Sequence, residues 1–159
     1  MPQIGAGLLA CLVALEQRSV RGRSMAGLLE PGQKVDVLMG YYRCRRPRRG
    51  EWVLFRHSGR ETPSIKIVKA VPGDRFELKE KAGSWSLWIN GALAVNSEGM
   101  AYRFDERARS VLSAYQKSHD SCIPPEAYLL LGNQPGGSLD SGRLGLVGRA
   151  GILGKALPP

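Results

Sequence analysis

Ile65-Lys66-Ile67-Val68-Lys69-Ala70-Val71-Pro72-Gly73-Asp74 is an apolar, β-branched run ended by a Pro-Gly turn signal, the pattern of a buried strand. Lys66 interrupts it, and a lysine there has two readings. It points at water as an ordinary strand lysine, or its stem lies against the core and burial lowers its amine pKa toward neutrality, where the amine can take a proton. Lys69 competes for that role, but its odd spacing from Lys66 places it on the opposite face of a regular strand.

Working outward, short apolar stretches alternate with Gly and Pro. Val35 to Met39 and Trp52 to Phe55 read as strands before Lys66, and Phe76-Glu77-Leu78 begins one after it. Ser86 to Ile89 and Ala92 to Val95 flank Asn90-Gly91, a two-residue hairpin signal. Tyr128 to Leu131 is a further buried strand, Leu144 to Leu153 supplies the last strand or two, and the more polar Asp105 to Lys117 is a candidate short helix. The sum is a mainly β, antiparallel domain without internal repeats.

With 159 residues, the chain suits one domain, and 43% hydrophobic and 23% charged content are ordinary globular values. A formal charge of +9 attracts polyanions, and much of the excess lies in Arg43-Cys44-Arg45-Arg46-Pro47-Arg48-Arg49, which suits a solvated loop, phosphate binding or a membrane surface. Cys11, Cys44 and Cys122 lack zinc-ligand spacing. Cys11 sits in an apolar run that suggests burial, while Cys44 and Cys122 are either a disulfide pair or two free thiols. That apolar run, Ile4 to Leu15, is 12 residues long against the roughly 20 a membrane-crossing helix needs. It reads as part of a membrane anchor, an interfacial helix or a buried helix, so the division expected is an apolar segment over 1–18 and a folded domain over 19–159. His57 and His119 lie in polar stretches without partner patterns and are not expected to be catalytic.

Forty-two residues before Lys66 stands Ser24, in Val20-Arg21-Gly22-Arg23-Ser24-Met25. A serine is a weak nucleophile until a base takes its proton, and a buried neutral lysine is such a base. The hexapeptide resembles the serine box of type I signal peptidases, the membrane-bound Ser/Lys endopeptidases. Three further stretches follow in the family's order. Pro47-Arg48-Arg49-Gly50-Glu51 and the strand after it are similar to the Pro-x-x-Gly-Asp strand, Lys66 to Asp74 to the lysine box, and Gly132 to Ser141 to the Gly-Asp-Asn…Ser-x-Asp-Ser box, followed by Gly145 and by Gly154-Lys155-Ala156.

The resemblance implies a signal-peptidase-like antiparallel β-domain behind a short helical apolar segment. It implies Ser24 as nucleophile, Lys66 as general base, and an oxyanion hole made by the Ser24 amide with a backbone group at Gly22. It further implies Ser138 orienting the lysine amine, Asp140 supporting the site through an arginine for which Arg143 is the nearest candidate, and Met25 beneath the substrate pockets. Trp52, Trp85 and Trp88 become candidates for a lipid-facing role. Substrates would be exported precursors carrying signal peptides, cut after small residues at the first and third positions before the scissile bond. No metal or organic cofactor is implied. The expected setting is the bacterial cytoplasmic membrane, with the domain on the extracytoplasmic face against anionic lipid, and nucleic acid is not an expected partner. The chain departs from the family pattern at Gly27, where the family has proline, at Ile67, where it has arginine, and over residues 133–136. Its compact size is similar to conjugative-transfer peptidases and nickel superoxide dismutase maturation proteases. Two other readings are a self-cleaving Ser/Lys protein of the SOS-repressor type, and a non-catalytic basic β-domain that binds anionic lipid or nucleic acid.

Overall fold

The computed structural model describes residues 11–57, 62–137 and 140–159. Among the described residues, ten strands, every pair antiparallel, make two sheets. The larger runs β1 (Ala14–Ser19), β2 (Lys34–Met39), β10 (Ile152–Leu157), β3 (Trp52–Phe55), β4 (Ser64–Ala70), β8 (Ala127–Leu131) and β9 (Val147–Gly148) in spatial order. The smaller holds β5 (Phe76–Lys81), β6 (Ser84–Ile89) and β7 (Ala92–Leu93).

The mainly β reading holds, and the turn chemistry explains the second sheet. Asn90 at φ 50° and Gly91 at φ 80° provide the two left-handed residues that a tight hairpin needs between β6 and β7. The Pro72-Gly73-Asp74 turn links the two sheets. Asp74 is buried; its carboxylate accepts from the Val71 amide and Asn90 Nδ2, both at 2.9 Å, and lies 3.4 Å from Arg49 Nε.

The polar stretch after Asp105 forms helix α1 (Glu106–Ser118), capped by the Asp105 carboxylate on the Ala108 amide. It buries Ala108 and Leu112 in a cluster with Phe76, Leu87, Leu129 and Leu131. A second short helix, α2 (Ser141–Leu144), starts at Asp140. Only its last residue, Leu144, enters the stretch expected to carry the last strands. That stretch holds β9, and the final strand starts within it at Ile152 and runs on to Leu157, with Ile152, Gly154 and Ala156 alternating inward.

The N-terminal expectations change most. Residues 1–10 of the expected apolar helix lie outside the described structure. Its end is not helical, since Ala14 and Leu15 begin the edge strand β1, and the boundary expected at residue 18 falls inside that strand. Cys11 is exposed and disulfide-bonded to Cys44, leaving Cys122 free; neither the buried Cys11 nor the Cys44–Cys122 pair is found. The ladder explains the pairing: Ala14 lies opposite Met39, so Cys11 and Cys44 each fall a few residues past the same end of the β1–β2 pair.

Candidate active site

Ser24 sits in the loop that joins β1 to β2. The loop is closed at its base by the Val20 amide on the Gln33 carbonyl and the Gly32 amide on the Val20 carbonyl, both at 2.8 Å. Within it the Ala26 amide donates to the Arg23 carbonyl, and the Leu28 and Leu29 amides both donate to that of Met25. This tight turn leaves Ser24 half-buried and Gly22 exposed, and drives Met25 and Leu29 into a cluster with Leu54, Ile65 and Ile67. Gly27, at φ +88°, donates its amide to Glu30 Oε1 at 3.0 Å, a conformation and a donor that the family's proline at this position lacks.

Lys66 is only 2% exposed on β4, opposite Val53 of β3. Burial lowers its amine pKa below the usual 10.5, and the negative charge of Asp140 partly offsets that fall. Asp140 is itself buried, its carboxylate accepting from the Gly132 amide at 3.0 Å and the Gly142 amide at 2.9 Å. Arg143, expected as its partner, is exposed; its backbone amide donates to the Asp140 carbonyl. Ser138 lies outside the described residues. Lys69 falls where the register with β8 slips between Val68 and Ala70, and its amine donates to the Val95 carbonyl at 3.0 Å above the Tyr102 ring. Burial depresses its pKa as well.

A cleft of about 410 Å³ runs beside the serine turn. Residues 17–21 and 62–65 contribute to its lining together with Ser24, Met25 and Leu54, so the serine turn and the entry of the lysine strand share one cavity. Ser64 and Ile65 pair with β3, whereas β8 joins β4 only from Ile67 onward.

Asn133, two residues past the end of β8 and read from sequence only as a departure from the family box, ties the two halves together. Its amide donates to the Ser24 carbonyl at 2.6 Å, and its Nδ2 donates to the Ala26 carbonyl and Ser97 Oγ, both at 2.9 Å. Its Oδ1 accepts from the Ser97 amide at 3.0 Å. Since Leu131 pairs with Ile67, the serine turn is fastened two residues from the strand partner of Lys66's neighbour. Tyr102 supports the same segment, donating its buried hydroxyl to the Gly132 carbonyl.

Other motif residues build scaffold. The Glu51 carboxylate, pushed up by burial yet held low overall, accepts from the Arg48 amide and the Tyr42 hydroxyl and pairs with Lys155 at 3.0 Å. The Pro-x-x-Gly-Glu and Gly-Lys-Ala stretches are therefore one contact. Trp85 and Trp88 lie under Arg109 and Lys79, and Trp52 packs against the Met25 cluster.

A family model described as signal peptidase, peptidase S26, matches residues 1–159. Signal peptidase IB of Staphylococcus aureus (strain COL) is 30% identical over 146 residues, covering 86% of this chain and 73% of that protein. A probable signal peptidase I-2 of Synechocystis is 28% identical over 147 residues, covering 89% of this chain and 61% of that protein. Among solved structures, a signal peptidase I from Enterococcus faecalis V583 aligns at 19% identity with a TM-score of 0.45, over 70% of this chain and 97% of that one. On the full-length family match and the staphylococcal relative, the chain belongs to the signal peptidase family of S26 peptidases.

Proposed function

We propose that this chain is a serine endopeptidase that cuts signal peptides, or one dedicated exported precursor, with Ser24 as nucleophile and Lys66 as general base. The observation that carries this reading is a lysine 2% exposed on a core strand, its amine pKa depressed by burial, in a family of peptidases. A neutral amine can take the Ser24 proton as the hydroxyl oxygen attacks the scissile carbonyl. The resulting acyl-enzyme is then cleared by water. The Ser24 amide and the backbone at Gly22 serve the tetrahedral oxyanion, and loss of one such donor typically costs about two to three orders of magnitude in rate.

Substrate binding follows from the cleft. An extended peptide can add alongside Ser64 and Ile65, where β8 does not pair, with backbone hydrogen bonds giving affinity and Met25 and Ile65 shaping the pocket for small side chains. Asp140, beside the lysine, holds residual positive charge in place and orients the Gly132 segment. The reading places the domain at the outer face of a bacterial membrane, where the Cys11–Cys44 disulfide would persist. Among the described residues, no helix is long and apolar enough to cross a membrane.

The test is cleavage of precursor peptides carrying small residues at the first and third positions before the cut, with products mapped by mass spectrometry. Ser24→Ala and Lys66→Ala each abolish cleavage while leaving the circular dichroism spectrum unchanged. Appreciable activity in either folded variant contradicts the dyad.

A further inference from the structure

We propose that the arginine loop following β2 is a docking site for anionic phospholipid headgroups, set beside the exposed Leu12, Val13 and Leu15 by the Cys11–Cys44 disulfide. Arg43, Arg45, Arg46 and Arg48 are all exposed, and among the described residues none of them forms an ion pair. Arg49 is different: it pairs with Asp74. Arg45, Arg46, Arg48 and Lys155 line a pocket of about 590 Å³ with Tyr41 and Cys44. The carboxylate in that pocket, Glu51, is engaged by Lys155, the Tyr42 hydroxyl and the Arg48 amide, so the open side of the pocket is set by arginine. Arg45 lies over the Tyr41 ring at 4.7 Å, which holds one guanidinium at the rim.

The apolar neighbours choose the partner. Cys44 lines the pocket and is bonded to Cys11, and the residues that follow Cys11 include Leu12 at 60%, Val13 at 38% and Leu15 at 64% exposure. A side chain at Gly40 would meet both the Leu12 carbonyl and the Arg43 guanidinium, so the chain before β1 and the basic loop come close there. Nucleic acid would engage the arginines and leave the leucines in water. A bilayer interface engages both, taking apolar side chains below the level of the phosphates that arginine contacts. Nothing in this surface requires the Ser24–Lys66 chemistry, so the two proposals fail separately.

Co-sedimentation of the full Ser24→Ala chain with vesicles tests the site. Binding is expected with vesicles of phosphatidylcholine containing phosphatidylglycerol, to be weaker at high salt, and to be slight with phosphatidylcholine alone. The Arg45→Gln/Arg46→Gln/Arg48→Gln variant should bind the anionic vesicles on the order of 100-fold more weakly, taking about 1 kcal/mol per arginine at such a surface. Lys81→Gln/Arg107→Gln/Lys117→Gln, which removes the same charge elsewhere, should lose far less. Equal losses in the two variants, or equal binding to both vesicle types, overturn the site. Tighter binding to short duplex DNA than to anionic vesicles reassigns the face and also overturns it. In the Ser24 background the same three arginine changes should leave cleavage of a soluble peptide without lipid intact.

Discussion

Asn133 shows how much one side chain can organise at a junction of loops. It is buried, and it contacts the carbonyls of Ser24 and Ala26 on one side and Ser97 on the other. Removing its amide leaves the Ala26 carbonyl and the Ser97 amide without those partners, at roughly 1–3 kcal/mol for each buried group left unsatisfied. The serine turn then has a single backbone bond at Asn133 to hold it against β8. Misplacement of a reacting group by about 1 Å costs on the order of 100-fold in rate. Asn133→Ala is therefore expected to lower kcat by about 10- to 100-fold with a smaller change in KM, measured well below its melting temperature. Asn133→Asp keeps the acceptor for the Ser97 amide but sets a carboxylate oxygen against the Ala26 carbonyl, so it should not restore kcat. An unchanged kcat in Asn133→Ala would mean the turn holds itself.

At the scale of elements, the serine turn and the edge strand that leads into it each rest on one local device. The turn depends on Gly27 at φ +88° with its amide bonded to Glu30. Proline fixes φ near −65° and has no donor, so Gly27→Pro, although it restores the family residue, is expected to destabilise the protein by more than ~1 kcal/mol and to reduce cleavage. Thermal melts of the two proteins check it, and an unchanged melting temperature would show that the turn can adopt the family's backbone. Among the described residues strand β1 pairs only with β2, its side chains are largely exposed, and its start is fixed by the Cys11–Cys44 bond. Cys11→Ser should speed hydrogen exchange at β1 amides while those of β4 and β8, buried in the middle of the sheet, stay protected. Unaltered β1 protection would mean that pairing with β2 alone holds the edge.

For the molecule as a whole, what was legible in the chain was what local chemistry decides. Asn90-Gly91 specified its hairpin and Pro72-Gly73-Asp74 its turn, because each acts within a few residues. Lys66 could be singled out because a charge in an apolar strand is costly without a purpose. Strand β1 was hidden because Ala14-Leu15-Glu16-Gln17-Arg18-Ser19 straddles the end of an apolar run and a charged stretch, and only its pairing with β2 makes it a strand. The disulfide was illegible for the same reason: its partners meet through the β1–β2 ladder. Asn133 had no local signal at all, since its contacts at Ala26 lie 107 residues away. The irregularity in β4 beside Lys69 was likewise invisible, because period-two counting does not register a slip in strand pairing.

The measurement that bears most directly on the Ser24–Lys66 dyad is the pH dependence of kcat/KM for a precursor peptide. A base must be neutral to act, and burial lowers the Lys66 pKa below 10.5, so the neutral form accumulates as pH rises through that lowered value. The account predicts activity that climbs with pH with its midpoint below 10.5, lost throughout the range in Lys66→Ala. A flat profile from mildly acidic to alkaline pH, or a rise that survives in Lys66→Ala, would contradict it.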